Sequence, residues 1–395
     1  MDPKIRQDKL ELVIRTLSKL DIDLWLVLTR ENNLDPISGE IGAETVVGKA
    51  AFLFTKEGEK IAIAASYDAE AIRVTEFYDK VLGYEKEGLS PPLQEEIDRI
   101  HPNQIALNIS EEAPICDGLT VGLRNILERT VPAYVDRFTS AEEIIVTMRS
   151  IKTNEEITRT KKAVEITVKI LEEVADFTKL GMSEVDVAQF VKERMTELKV
   201  GPAWPKEMCP TVTIGSHPVG HLGPQTQYKL ERGDLMRLDF GVKYKGYCAD
   251  VQRVYFALQH GEIFPPKRLR HMFQTARAAQ DAGLALLRPG ARGVDVDAAA
   301  RKFVVEAGYP EYIHGYGHCL GRTAHEVGPL LGPDWPERYS HNNIYRPIQE
   351  NQIFTAEPSV MFEGIGSINL EDDVIVRKDG VERLSGPQDD FFLIS

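Results

Sequence analysis

The sequence predicts two domains of mixed α and β structure, a smaller α/β domain over residues 1–150 and a larger α+β domain over residues 151–395. Three observations lead to this prediction. The first 150 residues alternate helix-like and strand-like runs, which is typical of an α/β arrangement. The remaining residues combine paired helical patterns with pairs of strands. A helix-like run at residues 141–148 closes the first part, so we place the boundary near Ile151.

The predicted elements of the first domain begin with an amphipathic helix, Lys4–Leu20. A short apolar strand follows at residues 24–29. Residues 51–66 predict a hairpin that turns at Lys56-Glu57-Gly58, and residues 104–110 predict a further strand. This domain contains neither a GxGxxG motif nor a phosphate-binding loop, so the sequence assigns it no site of its own.

The second domain opens with a long helical pattern from Asn154 to Phe177. Ser183 is then a candidate N-cap for a second helix that runs to Leu198. The later elements are three strands and two helices, at residues 211–214, 235–241, 247–257, Arg268–Leu287 and Val294–Ala307. Each of these two helices is followed by a glycine, as helix C-termini often are. The combination of helix pairs and hairpins indicates an α+β domain.

Two segments of the second domain each carry a pair of carboxylates on a predicted hairpin. The four residues are Asp239 and Asp250 in segment 235–256, and Glu357 and Glu371 in segment 353–376. If the first hairpin turns at Tyr244-Lys245 or one residue later, Asp239 and Asp250 lie opposite each other or nearly so. Like charges repel at such positions, and burial among apolar neighbours raises the cost. Hard divalent cations suit oxygen-rich clusters, so the sequence predicts a metal site.

Histidines lie between the two acidic hairpins, in HGYGHCLGRTAHEVGP, as His314, His318 and His325. The glycines of this segment disfavour a helix and favour a strand or loop lined with imidazoles. A second cluster, SHPVGHLGP, contains His217 and His221. Two-metal hydrolase sites combine bridging carboxylates, at least one imidazole and nearby acid or base groups. All of these residue types are present.

These segments resemble those of the M24 metallopeptidases, the pita-bread enzymes. LDFGVKYKGYCAD resembles their segment with two metal aspartates, GHCLGRTAHEVGP their metal-histidine segment, and IFTAEPSV and NLEDDVIV their two glutamate segments. The order of Asp, Asp, His, Glu and Glu along the chain is that of the family. IKTNEEITRTKKAVEIT, from Ile151, resembles the first helix of their catalytic domain. The α/β domain in front is similar to that of the Xaa-Pro dipeptidases (prolidases) and Xaa-Pro aminopeptidases.

The resemblance implies a pita-bread catalytic domain preceded by a creatinase-type N-terminal domain. It implies dinuclear, metal-dependent hydrolysis of Xaa-Pro peptide bonds, by a dipeptidase in preference to an aminopeptidase. The implied cofactors are two divalent ions, Mn²⁺ first, with Zn²⁺ or Co²⁺ as alternatives. Their implied ligands are Asp239, Asp250, His318, Glu357 and Glu371. Asp239 would chelate one ion, His318 and Glu357 would hold the other, and the remaining two carboxylates would bridge.

The resemblance also implies roles for groups that act on the substrate. Glu357 would be the general base, and His221 and His325 would stabilise the developing oxyanion and position the peptide. His314 matches a further histidine on the substrate side. His217 lies close enough in sequence to compete for the role of His221.

Several nearby positions are predicted to support the site, and two depart from the family pattern. Asp372 and Asp373 follow the second glutamate as supporting residues, and because strand side chains alternate they cannot both share its face. Cys319 is predicted to pack rather than to bind metal. Many proline-specific relatives have a Tyr where Met361 stands and an Arg where Asn369 stands. These changes remove a phenol and a fixed cation from the surroundings of the metals, which leaves the finer specificity open.

Three alternatives remain open: an Xaa-Pro aminopeptidase acting on longer peptides, a metal-free creatinase-like hydrolase, and a non-catalytic peptide-binding module. The intact set of five ligands argues against the last two. The long stretch 332–348 is expected to decide between dipeptidase and aminopeptidase, because long loops beside a site are often functional.

Composition limits the partners and the compartment. The formal net charge of −14 argues against nucleic acid or an anionic membrane as a partner. Because no long apolar run or signal-peptide pattern occurs, we expect a cytoplasmic protein. The four cysteines lack CxxC spacing, so we expect reduced thiols. The expected partners are a small peptide substrate with proline at its second position and, by resemblance, a second copy of the chain in a homodimer.

Overall fold

The computed structural model of the chain describes residues 1–44, 46–216 and 225–395. The chain divides into two units, Met1–Arg149 and Ser150–Ser395. None of the helices in the described ranges is both long and apolar enough to cross a membrane.

Within its described residues, the first unit contains six helices and six strands. The helices are α1 (Pro3–Leu20), α2 (Ser38–Ile41), α3 (Ser66–Arg73), α4 (Ser90–Ile100), α5 (Val121–Thr130) and α6 (Glu142–Ser150), which ends at the boundary. The strands are β1 (Leu24–Arg30), β2 (Lys49–Thr55), β3 (Lys60–Ala65), β4 (Lys80–Tyr84), β5 (Ile105–Leu107) and β6 (Phe138–Ser140). Short 3₁₀ helices occupy Pro114–Cys116 and Pro132–Arg137.

The strands of the first unit form one mixed sheet in the order β4-β3-β2-β1-β5-β6. The predicted hairpin is confirmed as the antiparallel pair β2–β3, and Gly58 supplies the positive φ of 97° that its turn requires. Leucines and isoleucines of the sheet, such as Leu26 and Ile63, are buried in one cluster with Leu93 of α4 and Leu123 of α5. The sheet therefore packs against helices, as an α/β pattern predicts.

The second unit contains five helices and twelve strands within its described ranges. The helices are α7 (Asn154–Phe177), α8 (Glu184–Glu197), α9 (Lys267–Leu284), α10 (Gly293–Glu306) and α11 (His341–Tyr345). The strands are β7 (Gly201–Pro202), β8 (Thr211–Ile214), β9 (Leu235–Phe240), β10 (Val242–Tyr244), β11 (Tyr247–Cys248), β12 (Val251–Ala257), β13 (Ile353–Ala356), β14 (Ser359–Phe362), β15 (Gly366–Asn369), β16 (Asp372–Arg377), β17 (Gly380–Arg383) and β18 (Phe392–Ile394).

Local sequence signals fix the first two helices of this unit. Thr153 and Glu156 form a capping box at the start of α7, and Ser183 and Asp186 form another at the start of α8. Each box satisfies N–H groups that would otherwise lack a partner in the first turn. The predicted bounds of α7 and the predicted N-cap of α8 are confirmed.

The second unit pairs helices with sheets twice. Cores form between α7, α8 and the sheet β18-β12-β9-β8, and between α9, α10 and the strands β13 to β16. Along β9 the side chains alternate: Leu238 and its even-numbered neighbours lie in the core with α7 and α8. Leu235 lies in the other core, so Arg237 and Asp239 also face away from α7 and α8. This alternation points one face of β9 into the centre of the unit.

Candidate metal centre

The first acidic pair lies on neighbouring strands and on the same face. The hairpin turns at Lys245-Gly246, and Asp239 pairs with Gln252 of β12. Because side chains alternate, Asp250 lies on the same face as Gln252, diagonal to Asp239 rather than directly opposite. The predicted strand 247–257 is also interrupted before Val251. A Cβ on Gly241 would lie 1.8 Å from the Ala249 carbonyl oxygen, so only glycine permits this close approach.

The second acidic pair, Glu357 and Glu371, lies between two antiparallel strand pairs, β13–β16 and β14–β15. Ala356 pairs with Asp372 in β13–β16, and Ser359 pairs with Asn369 in β14–β15. This shared register puts Glu357 opposite Glu371 where the ladders are interrupted. Both glutamates can then turn towards neighbouring elements.

Backbone contacts attach these glutamates to other parts of the site. The N–H of Glu357 donates to the Tyr316 carbonyl at 2.7 Å, in the histidine segment. The N–H of Glu371 donates to the Gln252 carbonyl at 3.4 Å, on β12. The second hairpin is thereby held against the histidine segment on one side and the first hairpin on the other.

The histidine segment runs alongside β13. The N–H of Thr355 donates to the His318 carbonyl at 3.0 Å, and the N–H of His318 donates to Thr355 Oγ1 at 3.0 Å. A Cβ on Gly317 would lie 2.1 Å from the Thr355 carbonyl oxygen, which explains a glycine beside the histidine. These contacts bring His318 Nε2 within 3.3 Å of Glu357 Oε1 and 3.9 Å of Asp250 Oδ2.

Three of the predicted ligands converge closely enough to hold a metal ion. One ligand atom from each of Asp250, His318 and Glu371 lies within 4.8 Å of the other two. Both carboxylates are buried, and the imidazole is half-buried. Two carboxylates and one imidazole form a donor set that suits Mn²⁺, Co²⁺ or Zn²⁺.

The electrostatics of the cluster favour a bound cation. Burial raises the pKa of Asp250 well above its usual value, and the charges of Asp239, Asp373 and Glu357 raise it further. Burial and the charges of Asp250 and Glu357 likewise raise the pKa of Glu371. Burial first, and then the charge of Asp239, raises the pKa of Glu357 to about 8. Divalent ions among these oxygens would relieve the repulsion.

Asp372 and Asp373 point in opposite directions, as the alternation of strand side chains predicts. Asp373 Oδ2 accepts the N–H of Asp250 at 3.0 Å, and Asp373 Oδ1 is buried without a hydrogen-bond partner in the described structure. Asp372 instead accepts from Arg253 at 3.0 Å and from Arg383 at 2.7 Å. Asp373 therefore supports the backbone of Asp250, while Asp372 belongs to an arginine cluster.

Two further residues beside the carboxylates were not identified from the sequence. Gln252 Nε2 donates to Glu371 Oε2 at 2.7 Å. Nη1 of Arg237 donates to Asn369 Oδ1 at 3.3 Å and also to the hydroxyl of Ser367. Gln252 lies two residues from Asp250, and Arg237 lies two residues from Asp239. Because strand side chains two residues apart share a face, this spacing could have identified both residues from the sequence.

The other predicted histidines have different surroundings. The exposed His325 ring packs edge-on against the His318 ring, with centroids 4.3 Å apart. His314 Nε2 lies 3.0 Å from Ser359 Oγ, on the strand that follows Glu357. His221, like His217, lies outside the described residues.

Cys319 and Met361 are excluded from the cluster. Burial raises the pKa of the Cys319 thiol to about 12, so it stays protonated, and its Sγ lies 3.4 Å from the Pro329 carbonyl oxygen. This thiol packs, as predicted. All four cysteines are free. The Met361 side chain stands about half exposed.

The sequence profile of metallopeptidase family M24 matches residues 158–378, more than half of the chain. The chain belongs to metallopeptidase family M24. An uncharacterized peptidase from Staphylococcus saprophyticus is 25% identical over 338 residues, which cover 85% of this chain and 87% of the relative. An uncharacterized peptidase from Staphylococcus aureus is 23% identical over 337 residues, with coverage of 85% and 87%.

Solved structures agree with the M24 assignment over nearly the whole chain. An X-Pro aminopeptidase from Thermotoga maritima has a TM-score of 0.70 and 26% identity, and covers 96% of this chain and 100% of its own. An Xaa-Pro dipeptidase from Bacillus anthracis has a TM-score of 0.72 and 22% identity, with coverage of 98% and 100%. Dipeptidase PepE from Mycobacterium ulcerans has a TM-score of 0.75 and 19% identity, with coverage of 100% and 99%.

These likenesses confirm three predictions. The chain is an M24 protein, its fold is the pita-bread fold with a preceding α/β domain, and it is a metallopeptidase that hydrolyses peptides. M24 enzymes use divalent metal, and the converging Asp, His and Glu of this chain fit that chemistry.

Proposed function

We propose that this M24 protein hydrolyses Xaa-Pro peptide bonds with two divalent metal ions, as an Xaa-Pro dipeptidase. The observation that carries the proposal is the convergence of Asp250, His318 and Glu371, with the Glu357 carboxylate 3.3 Å from the same imidazole. The similar structures include an Xaa-Pro dipeptidase and an X-Pro aminopeptidase, which supports proline as the second residue of the substrate.

The proposed ligand set divides between two ions. Asp239 would hold one ion, His318 and Glu357 the other, and Asp250 and Glu371 would bridge them. When bound, the ions would polarise the scissile carbonyl and acidify a water molecule. Because the buried Cys319 thiol stays protonated, the proposed set consists of oxygen and imidazole donors, for which Mn²⁺ is our first choice.

Glu357 is the proposed general base. Thr355 Oγ1 donates to Glu357 Oε1 at 3.1 Å, and this bond orients the carboxylate. Glu357 would take a proton from the attacking water and return it to the proline nitrogen as the peptide bond breaks. Because Thr355 also accepts from the N–H of His318, one hydroxyl orients both a ligand and the base.

His325 is the proposed donor to the developing oxyanion. Its exposed ring leans against His318, so it can contact a substrate while His318 contacts metal. A donor at the position where charge develops stabilises the transition state more than the ground state. We assign His221 a similar role, and His314 a role in substrate binding.

The stretch 332–348 is the proposed determinant of peptide length. Tyr339 accepts the N–H of Gly315 at 3.0 Å through its hydroxyl, and Nη1 of Arg338 donates to the Ile313 carbonyl. These contacts fall on both neighbours of His314. A segment held there can limit the space beyond the substrate proline, which favours a dipeptidase.

A substrate panel tests the proposal. Purified protein, loaded in turn with Mn²⁺, Co²⁺ and Zn²⁺, is assayed on Ala-Pro, Ala-Pro-Ala and the matched control Ala-Ala. We expect cleavage of Ala-Pro only. Preference for Ala-Pro-Ala would support the aminopeptidase alternative, and equal cleavage of Ala-Ala would contradict proline specificity.

We also infer a homodimer, by similarity to proline-specific M24 enzymes. Sedimentation equilibrium of the full chain at micromolar concentration is expected to give twice the monomer mass of 44.3 kDa. A single monomeric species would contradict this inference.

A further inference from the structure

Arg237 and Asn369 link the two strands that lead into the carboxylate cluster. Arg237 precedes Asp239 by two residues on β9, and Asn369 precedes Glu371 by two residues at the end of β15. The bond from Arg237 Nη1 to Asn369 Oδ1 measures 3.3 Å. Because β9 and β15 belong to different sheets, this bond joins strands that no backbone ladder connects.

A second contact strengthens this link. The same Nη1 donates to the hydroxyl of Ser367, which lies two residues before Asn369 and therefore on the same face of β15. One guanidinium thus spans two consecutive side chains of this face. Such a contact restrains both the separation and the sliding of the two strands.

Burial of the Arg237 guanidinium costs free energy. Its Nε is buried without a hydrogen-bond partner in the described structure. Since arginine stays charged in proteins, such burial requires nearby negative charge. Asp239, a proposed metal ligand, lies two residues from Arg237 on the same face of β9.

We propose that Arg237 is a positioning residue that, through Asn369 and Ser367, sets the spacing between Asp239 and Glu371. The inference rests on the proposed metal site. Arg237 places a guanidinium of β9 against Asn369, the position at which the resemblance implied that a fixed cation is missing.

Exchanging the two side chains tests whether their pairing across the strands matters. Arg237→Asn removes the guanidinium, Asn369→Arg places two guanidiniums against each other, and the double variant R237N/N369R restores one of each. Loss of a residue that orients metal ligands typically lowers metal affinity about 10- to 100-fold. We expect each single variant to lose that much Mn²⁺ affinity by calorimetry, and the double variant to recover to within about fivefold of wild type.

A matched control separates this effect from the loss of any arginine. Arg194 of α8 donates to Glu173 and Glu197 within the same unit, so Arg194→Asn is expected to leave Mn²⁺ affinity unchanged. Circular dichroism checks that each variant is folded. If Arg237→Asn does not fold, S367A/N369A removes both acceptors without burying a new charge, and we expect about a three- to tenfold loss of affinity.

Three outcomes would overturn the inference: Arg237→Asn with affinity within threefold of wild type, a double variant as weak as the single variants, or S367A/N369A with unchanged affinity. Failure of the proposed metal site is distinguishable, because wild type itself would then bind no Mn²⁺.

Discussion

Several buried carboxylates of the first unit lie beside cations, whereas those of the carboxylate cluster in the second unit lie beside other carboxylates. In the first unit, Glu40 contacts the guanidinium of Arg149, and Glu96 contacts both Lys80 and Arg99. Glu40 and Glu96 therefore each have an opposite charge beside them. Such pairs contribute little net stability, but removing one partner leaves the other buried alone, which is costly.

In the second unit, carboxylates gather around one another. Asp250 and Glu371 are buried beside the half-buried Glu357, and the main charges that act on these three carboxylates are negative. A fold gains nothing from such a cluster unless cations enter it. The comparison teaches that charge pairing, rather than burial, distinguishes Glu40 and Glu96 from the acids of the proposed metal site.

Glu371 and Asp372 repeat this contrast between adjacent residues. Gln252 is the hydrogen-bond donor to the Glu371 carboxylate, and other carboxylates surround it. Asp372 is contacted by Arg253 and Arg383, with Arg277 3.5 Å away. Glu371, directly before β16, therefore lies among carboxylates, whereas Asp372, the first residue of β16, lies among guanidiniums.

Removing metal should have the largest effect of these changes. It should lower the stability of the second unit and leave that of the first unit unchanged. We expect chelation followed by dialysis to abolish hydrolysis of Ala-Pro, and Mn²⁺ to restore it. Mn²⁺ at about 100 times its Kd should raise the free energy of unfolding of the second unit by about 2.7 kcal/mol. In a W204F/W335F background, tryptophan fluorescence comes from Trp25 alone, which is buried in the first unit. This signal should report no such gain in unfolding free energy. Full activity in a chelated, metal-free sample would contradict the proposed chemistry.

Exchanging the adjacent acids for amides sharpens the contrast further. Asp372→Asn would leave the buried Arg253 guanidinium without its carboxylate, so we expect a loss of about 3–5 kcal/mol in unfolding free energy with Mn²⁺ binding retained. Glu371→Gln would remove one negative charge from the cluster, so we expect no loss of stability in the metal-free protein but a large loss of Mn²⁺ affinity. Urea unfolding of chelated protein and calorimetry measure the two effects. The contrast fails if both variants lose stability and metal to the same extent.

The two histidines of the GHCLGRTAHEVGP segment should differ in whether their removal costs the protein its metal. We expect His325→Ala to keep both metals and to lose about 100- to 1000-fold in kcat, because one donor to the transition state is removed. His318→Ala should lose metal as well as activity, because it removes a proposed ligand. Metal content measured beside the rate on Ala-Pro separates the variants. A metal-free His325→Ala protein, or one with near-normal turnover, would reverse the assigned roles.

Local signals in the sequence predicted much of this fold. The bounds of α7 and the N-cap of α8 follow from side chains within one turn of each helix end. The turn between β2 and β3 follows from Gly58. These features depend on neighbours in sequence, which a reading of the chain can evaluate.

Contacts between strands that are distant in sequence could not be predicted from such local signals. The diagonal arrangement of Asp239 and Asp250 depends on which residue forms the turn, and the break before Val251 depends on the approach of Gly241 to Ala249. The contact of Arg237 with Asn369 joins strands more than 100 residues apart in sequence. Local spacing predicts which face a side chain shares, but tertiary packing decides what lies opposite.

A last prediction concerns Asp35, a buried acid of the first unit that has no cation beside it among the described residues. Its Oδ2 accepts from Asn108 at 2.9 Å and its Oδ1 from the N–H of Ile37 at 3.1 Å. Burial outweighs these bonds and raises the pKa from 3.8 to about 6. The folded state therefore holds this proton more tightly than the unfolded state. Stability from the protonated acid is fully present below pH 3.8 and is lost as the pH rises through about 6.

The expected loss across this window is at most about 3 kcal/mol, because one pKa unit corresponds to about 1.4 kcal/mol. It is measured by urea unfolding between pH 4 and 7, followed by Trp25 fluorescence, since Trp25 Nε1 donates to Asn108 at 2.7 Å. Asp35→Asn cannot ionise, so the difference in unfolding free energy between wild type and variant should change across this window and level off above pH 7. A constant difference would mean that Asp35 is as well compensated as Glu40, and the first unit would then contain no strained acid.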